Sequence, residues 1–436
     1  MISNLVARSD TSGAYTKEDT SQQIQSDTEI TLDFLDEILS TTIKEDRANK
    51  LITFFAMLLN YTEHDQLNIG FTAEASTGKS YIPLEIAQYF PEEDIKSVGY
   101  CSPTAFFHDY GEWDEEEKIK TIDLHQKILI FLDQPHDMLL QRLRPILSHD
   151  QQEILVKITD RGKHEGLATK NILVIGYPTV IFCSTNPSMD EQERTRLLML
   201  SPEITQDKLN ASIRLSAEKS ADHQQFQEEL DSDPRRNWLR ERTILIKNAQ
   251  ITEVIVRNKD KDYLLQEFYK IHRNLLPRHQ RDFPRMLALG KAHALLNFDK
   301  RTLLKPHVIV AERIDLDEGF RLYSQISKPN ELGLSPEIYD IYINIFKGKE
   351  GVTCRDIQIH YSQIYHKPLG EKRLKVIIDT LLSTGLIREE PDPLDLRRRI
   401  FYSQAEEYIL DDNLAKSSEE NTPEGVTSKG DSNDQV

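Results

Sequence analysis

Apolar residues recur at helical spacing from Ile30 to Tyr61. Leu32, Leu35, Ile38 and Leu39 are followed by Ile52, Phe55, Leu58 and Leu59, which predicts two amphipathic helices. The pattern then shortens to strand-sized apolar runs at Leu67–Thr72, Ile95–Cys101, Ile128–Asp133 and Thr179–Ser184. Helical stretches separate them, the first leading from a loop at Gly78 to about Phe90. Strands alternating with helices predict an α/β domain around a parallel sheet. Residues 203–330 read as mainly helical, and Pro329 with Gly333–Pro336 marks a linker. Beyond it, Ser335–Phe346, Thr353–Tyr365 and Glu371–Thr384 read as helices, with Thr353 an N-cap, and Leu386–Glu389 and Arg399–Tyr402 as two strands around a turn. The expected organisation is a disordered segment 1–28, helices over 29–66, an α/β core over 67–202, a helical linker and lid over 203–330, a small unit over 335–405 and an acidic disordered tail over 411–436.

Composition narrows the class. No apolar run approaches the ~18–20 residues of a membrane span, and the first residues lack an apolar signal core. Cys101, Cys183 and Cys354 are too few and too scattered for a disulfide framework or a zinc site, which favours a reducing cytoplasm. A net charge of −18 makes the whole chain a poor general binder of polyanions, so nucleic-acid contact has to come from local basic patches.

Candidate chemistry sits at strand ends. The loop Ala73-Glu74-Ala75-Ser76-Thr77-Gly78-Lys79-Ser80 follows a strand and opens a helix, which aims backbone N–H groups at a phosphate. Lys79 would reach the outer phosphates and the Ser80 hydroxyl a Mg²⁺ ion, although Ala73 stands where the phosphate-loop pattern has its first glycine. Lys127–Asp133 is an apolar strand ending in a carboxylate, 54 residues after Lys79, as a Mg²⁺-holding Walker B element requires. A third strand ends in Ser184-Thr-Asn186-Pro187, where Asn186 could orient an attacking water. Arg196, ten residues on, could act as an arginine finger on a neighbouring subunit, with Arg194 competing for the role.

These four links, in this order, resemble the AAA+ family of ATPases, and its minichromosome maintenance (MCM)-like helicase branch in particular. Asp133-Gln134-Pro-His-Asp137-Met138 resembles that branch's Asp-Glu-x-Asp-x-Met. Residues 153–159 and 167–175 around Asp160–Gly166 look like its presensor-1 hairpin. Arg281–Leu296 is similar to its lid helix, and the resemblance makes Arg281 the sensor-2 arginine, with Arg285 second. Gln134 departs from the family's glutamate; an amide cannot accept the proton of an attacking water, and Asp137, Glu74 and Glu153 are the carboxylates that could replace it.

The C-terminal unit resembles a winged helix. Lys372, Arg373 and Lys375 lie on its third helix and Arg397-Arg398-Arg399 on its wing, a local excess of positive charge in an acidic chain. The resemblance implies a ring-forming homo-oligomer that binds ATP and Mg²⁺ between subunits. DNA would be met by the hairpin tip (Arg161, Lys163) and by the winged helix, in the work of a helicase or replication motor. Two alternatives stay open: a nucleotide-binding, DNA-associated regulator with little turnover, and a protein-remodelling ATPase.

Overall fold

The computed structural model describes residues 29–99, 102, 105–109, 111–116, 118–133, 137–160, 168–184, 195–272, 275–332, 334–393 and 395–404. The segments expected to be disordered, 1–28 and 411–436, lie outside them. The chain divides into two compact units, Met1–Glu337 and Ile338–Val436.

The first unit is α/β. Its central sheet uses β1 (Ile69–Thr72), β2 (Ile95–Val98), β5 (Ile128–Phe131), β8 (Thr179–Ser184) and β9 (Leu198–Leu200), all parallel, in the order β2-β5-β8-β1-β9. The buried strands feed two cores by alternation. Ile128, Ile130, Ile181, Cys183, Leu198 and Leu200 face one side, where the helices Leu32–Leu39 and Arg47–Leu58 pack. Leu129, Phe131, Val180, Phe182 and Met199 face the other. A side-chain period of two turns each apolar run into both walls of a sandwich, which is why these strands carry almost no polar residue. The edge strand β9 is closed by Asn330, whose amide accepts from Met199 N (2.9 Å) and donates to Met199 O (3.0 Å), so no free ladder edge is exposed there.

A second sheet covers the second core. It joins β3 (Glu112–Asp114), β4 (Ile119–Asp123), β6 (Glu153–Asp160) and β7 (Ala168–Ile175) in the order β3-β4-β7-β6. The β6–β7 pair is an antiparallel hairpin in continuous register from Glu153↔Ile175 to Asp160↔Ala168. It falls where the resemblance implied a hairpin, at 153–159 and 167–175, whereas β3 and β4 were not anticipated.

Residues after β9, expected to form a helical linker and lid, are mostly helices with one three-stranded sheet, β10 (Glu253–Ile255), β11 (Thr302–Lys305) and β12 (Val308–Val310). The helices His279–Leu296 and Arg313–Glu331 cross with backbones in contact. A Cβ on Gly319 would meet Gly290 N at 2.2 Å, so any side chain there would drive the two apart. Among the described residues, no helix is long and apolar enough to cross a membrane.

The second unit begins within the helix Pro336–Ile341, which continues into a short π-helix at Tyr342–Phe346; β13 (Val352–Thr353), the helices Cys354–Tyr365 and Glu371–Ser383, and a hairpin of β14 (Ile387–Asp392) and β15 (Asp395–Ser403) follow. The Thr353 side chain accepts from Asp356 N and the Asp356 carboxylate accepts from Thr353 N, a reciprocal cap that starts the first of those helices. Both hairpin strands are longer than the sequence pattern indicated, and β13 joins them as a third strand beside β15.

Candidate functional site

The carboxyl ends of the parallel strands gather the phosphate-loop residues. The loop leaves β1 at Ala73, which is buried and whose N–H still donates to Ser184 O at 3.3 Å. Ala73 keeps an ordinary negative φ, so the alanine in the first-glycine position causes no strain there; positive φ occurs instead at Ser76 (+66°) and Gly78 (+95°). A Cβ on Gly78 would meet nothing within 4 Å; the residue is required for its backbone conformation alone. Thr77 Oγ1 donates to Glu74 O (2.9 Å), Lys79 Nζ reaches the same carbonyl at 3.3 Å, and helical bonding begins with Ile82 N donating to Gly78 O. Glu74 and residues 77–80 are half-buried, and Ala75 and Ser76 form an exposed crest.

Asp133 follows β5, whose pairing with β2 continues through Leu132 N to Val98 O. Between β5 and β1 runs β8, and its buried Cys183 reports on the surroundings. Burial pushes the thiol up to about 11; against that act a hydrogen bond to the Ser80 side chain and the positive charge of Lys79, while the Asp133 carboxylate raises it further. Lys79, Ser80 and Asp133 therefore converge on the end of one strand. Gln134 and Asn186 lie outside the described residues, two or fewer positions beyond Asp133 and Ser184.

Sequence reasoning missed a second lysine. Lys208, the single buried residue of the helix Gln206–Ala221, donates to Thr77 O at 3.3 Å and forms an ion pair with the fully buried Asp46. Nothing in the sequence distinguishes it from the other charges on that polar helix.

The arginines assemble at the opposite ends of the strands. Arg196 precedes β9, whose Leu198 is level with Ile69, the first residue of β1. Arg196, Arg281 and Arg285 line one cavity of about 230 Å³ with His64, Asp65 and His149. Arg281 donates to Thr195 Oγ1 (2.5 Å), Arg285 to Thr195 O (2.6 Å) and Arg196 to Ser148 Oγ (2.5 Å). The buried Asp282 holds Arg278 at 2.8 Å and Arg285 at 3.1 Å. Beneath them Asn68 joins three elements, donating to Leu147 O and accepting from Val180 N, both at 3.0 Å. Burial and the nearby Arg285 guanidinium depress the His149 imidazole to about 4. Ala73 lies five positions after Asn68, about 16 Å of extended chain. Arg281 thus stands beside Arg196 and a strand's length from the loop 73–80. Glu153, at the start of β6 opposite Ile175, is also at this end, which removes it as a stand-in base beside Asp133.

Of the remaining basic candidates, Arg161 and Lys163, like Arg194, lie outside the described residues. Lys372 and Lys375 are exposed and Arg373 half-buried on the helix Glu371–Ser383. Arg397, Arg398 and Arg399 are exposed on β15, Arg398 reaching Asp395 at 3.4 Å. No protein-family profile and no curated protein sequence matches this chain.

Proposed function

We propose that the chain is an ATP-binding P-loop protein of the AAA+ type, close in plan to the MCM-like helicases, acting as a ring with ATP between subunits. The observation that carries this reading is the strand order β2-β5-β8-β1-β9 with its loop placements. The phosphate loop follows β1, the carboxylate Asp133 follows β5, and β8 lies between them. The neighbours β8 and β1 send their onward connections in opposite directions, to β9 and to β2, and open parallel sheets bind ligands at such switch points. The residues fit a Mg²⁺-bound triphosphate. Positive φ at Ser76 and Gly78 is the kind of backbone from which anion-holding amide nests are built, and Lys79, Ser80 and Asp133 all act on Cys183, near enough to one another for Ser80 and Asp133 to share a cation. Mg²⁺ would supply charge neutralisation at the outer phosphates.

The arginine cavity supports the ring. Arg196, Arg281 and Arg285 are too far along the strands to serve their own phosphate loop, and they are ordered at an open cavity where a neighbour's phosphates could be met. In the second unit, the helix–strand–helix–helix–hairpin order and exposed Arg397–Arg399 support a winged helix that contacts DNA phosphates. Gln134 favours a second reading, a nucleotide-bound switch with slow turnover, because the position lacks a proton acceptor.

The deciding experiment is ligand-induced thermal stabilisation by ATP·Mg²⁺. Saturation at ~100 Kd should stabilise the wild type by about 2.7 kcal/mol, and Lys79→Ala should abolish the shift. Equal shifts in both proteins would reject the site.

A further inference from the structure

We propose that His272, His279 and Glu331 form a site for one divalent transition-metal cation of the zinc class, fastening three lid helices to one another. His272 follows the helix Asn258–Ile271, His279 opens the helix His279–Leu296, and Glu331 ends the helix Arg313–Glu331. One ligand atom from each lies within 4.8 Å of the other two. The histidines are 4% and 3% exposed and the Glu331 side chain 6%.

The distances separate two explanations of such a cluster. Glu331 turns Oε2 toward His272 Nδ1 and Oε1 toward His279 Nε2, each at 3.7 Å. An imidazole–carboxylate hydrogen bond closes to roughly 2.7–3.0 Å, so neither contact is one. Ligand atoms bound at about 2.0–2.1 Å around a tetrahedral zinc stand roughly 3.3–3.4 Å apart; the three candidate ligand atoms lie within 4.8 Å of one another, so side-chain adjustment of about an ångström brings them to that spacing. Both His272 nitrogens and His279 Nε2 are buried with no hydrogen-bond partner, as is the hydroxyl of Tyr323, whose ring centre is 6.4 Å from that of His272. Buried polar atoms are rarely left so, and two neutral imidazoles with one carboxylate are a donor set that zinc-class ions accept.

Two groups compete with the ion. Lys328 reaches Glu331 Oε2 at 3.5 Å, but its side chain is 33% exposed and approaches from the outside. His279 Nδ1 accepts from Leu276 N at 3.0 Å. Binding through Nε2 places the ring proton on Nδ1, so that amide contact must be given up as the ion enters. The consequence is local and useful: His279 lies two and six residues before Arg281 and Arg285, so the ion would fix the start of the helix that carries both arginines. This site does not depend on the nucleotide reading.

The test uses the full, untagged chain, stripped with EDTA and titrated with Zn²⁺ by calorimetry, with Co²⁺ absorption as a second probe. We expect about one tight Zn²⁺ per chain and a rise in Tm on loading. Glu331→Gln and His272→Gln should weaken Zn²⁺ binding at least ~100-fold. The Co²⁺-loaded wild type should show d–d bands of a four- or five-coordinate site. Absence of those bands, or Zn²⁺ binding equal in wild type and Glu331→Gln, overturns the proposal and leaves a proton-sharing His–His–Glu cluster. If His272→Gln does not fold, the wild-type Co²⁺ spectrum and Glu331→Gln still decide.

Discussion

At the carboxyl ends of β1, β5 and β8, charge is handled mostly by one loop: eight residues with two positive-φ positions, three hydroxyls and Lys79, joined by Asp133 and by Lys208 from a distant helix. At the amino ends of β1 and β9, it is handled by three arginines from two distant segments, held by the buried Asp282, the Thr195 carbonyl and the Ser148 hydroxyl. The first site is made by local conformation and is nearly complete within one stretch of chain. The second exists only because β9 and the helix His279–Leu296 are packed beside the start of β1. The difference teaches how a ring ATPase of the proposed kind divides its labour. In that proposal one end of the sheet would hold the ligand, and the other would carry cations that cannot reach it within the same chain.

That division can be broken most sharply at Arg196. Arg196→Ala should lower ATP turnover by about 10³–10⁵-fold while leaving the nucleotide-induced thermal shift nearly intact. Mixing it with Lys79→Ala subunits should restore part of the rate, since each variant supplies the end that the other lacks. A loss of only a few fold, with no rescue on mixing, would reduce the arginine cavity to a structural feature.

Next in size is the substitution at the loop end. Gln134→Glu restores a proton acceptor beside Asp133 and should raise phosphate release by roughly 10²-fold or more, whereas Gln134→Ala should not. Unchanged turnover would move the base to Asp137 or Glu74, now that Glu153 is placed at the other end of the strands.

A pH experiment probes the arginine end alone. His149 is depressed to about 4 by burial and Arg285, so the folded ring stays neutral after the unfolded one begins to take up a proton near pH 6.5. The unfolded state binds more protons through that window, and stability therefore falls as pH drops from about 6.5 to 4. The loss attributable to this ring is at most about 3–4 kcal/mol, less what partial solvent access screens. His149→Asn, which tolerates the residue's φ of +56°, should flatten the pH dependence of the urea midpoint.

The smallest effect belongs to Ser76. A non-glycine residue at φ +66° is strained, and Ser76→Gly relieves that strain while making the unfolded chain more flexible. The net gain should be under about 1 kcal/mol, read from the denaturant midpoint, with nucleotide affinity unchanged.

The sequence alone determined the elements whose signal is local. The runs at 67–72, 95–101, 128–133 and 179–184 each contain a parallel strand; β1, β5 and β8 are buried on both faces and so apolar almost throughout, while β2 at the sheet edge, IKSV, is only half-buried. The loop at 73–80 was legible for the same reason, since its conformation depends on its own glycine, hydroxyls and lysine. Tertiary structure decided what depends on partners. It set the order of the strands and exposed β3, β4 and β9, whose short or polar segments pair only because a neighbour offers an edge. It carried Arg281 to Arg196 across 85 positions and brought Lys208 onto the phosphate loop. It also closed His272, His279 and Glu331 around one point. A side chain's period reveals which way it faces, but its neighbour is fixed by long-range packing that no local pattern encodes.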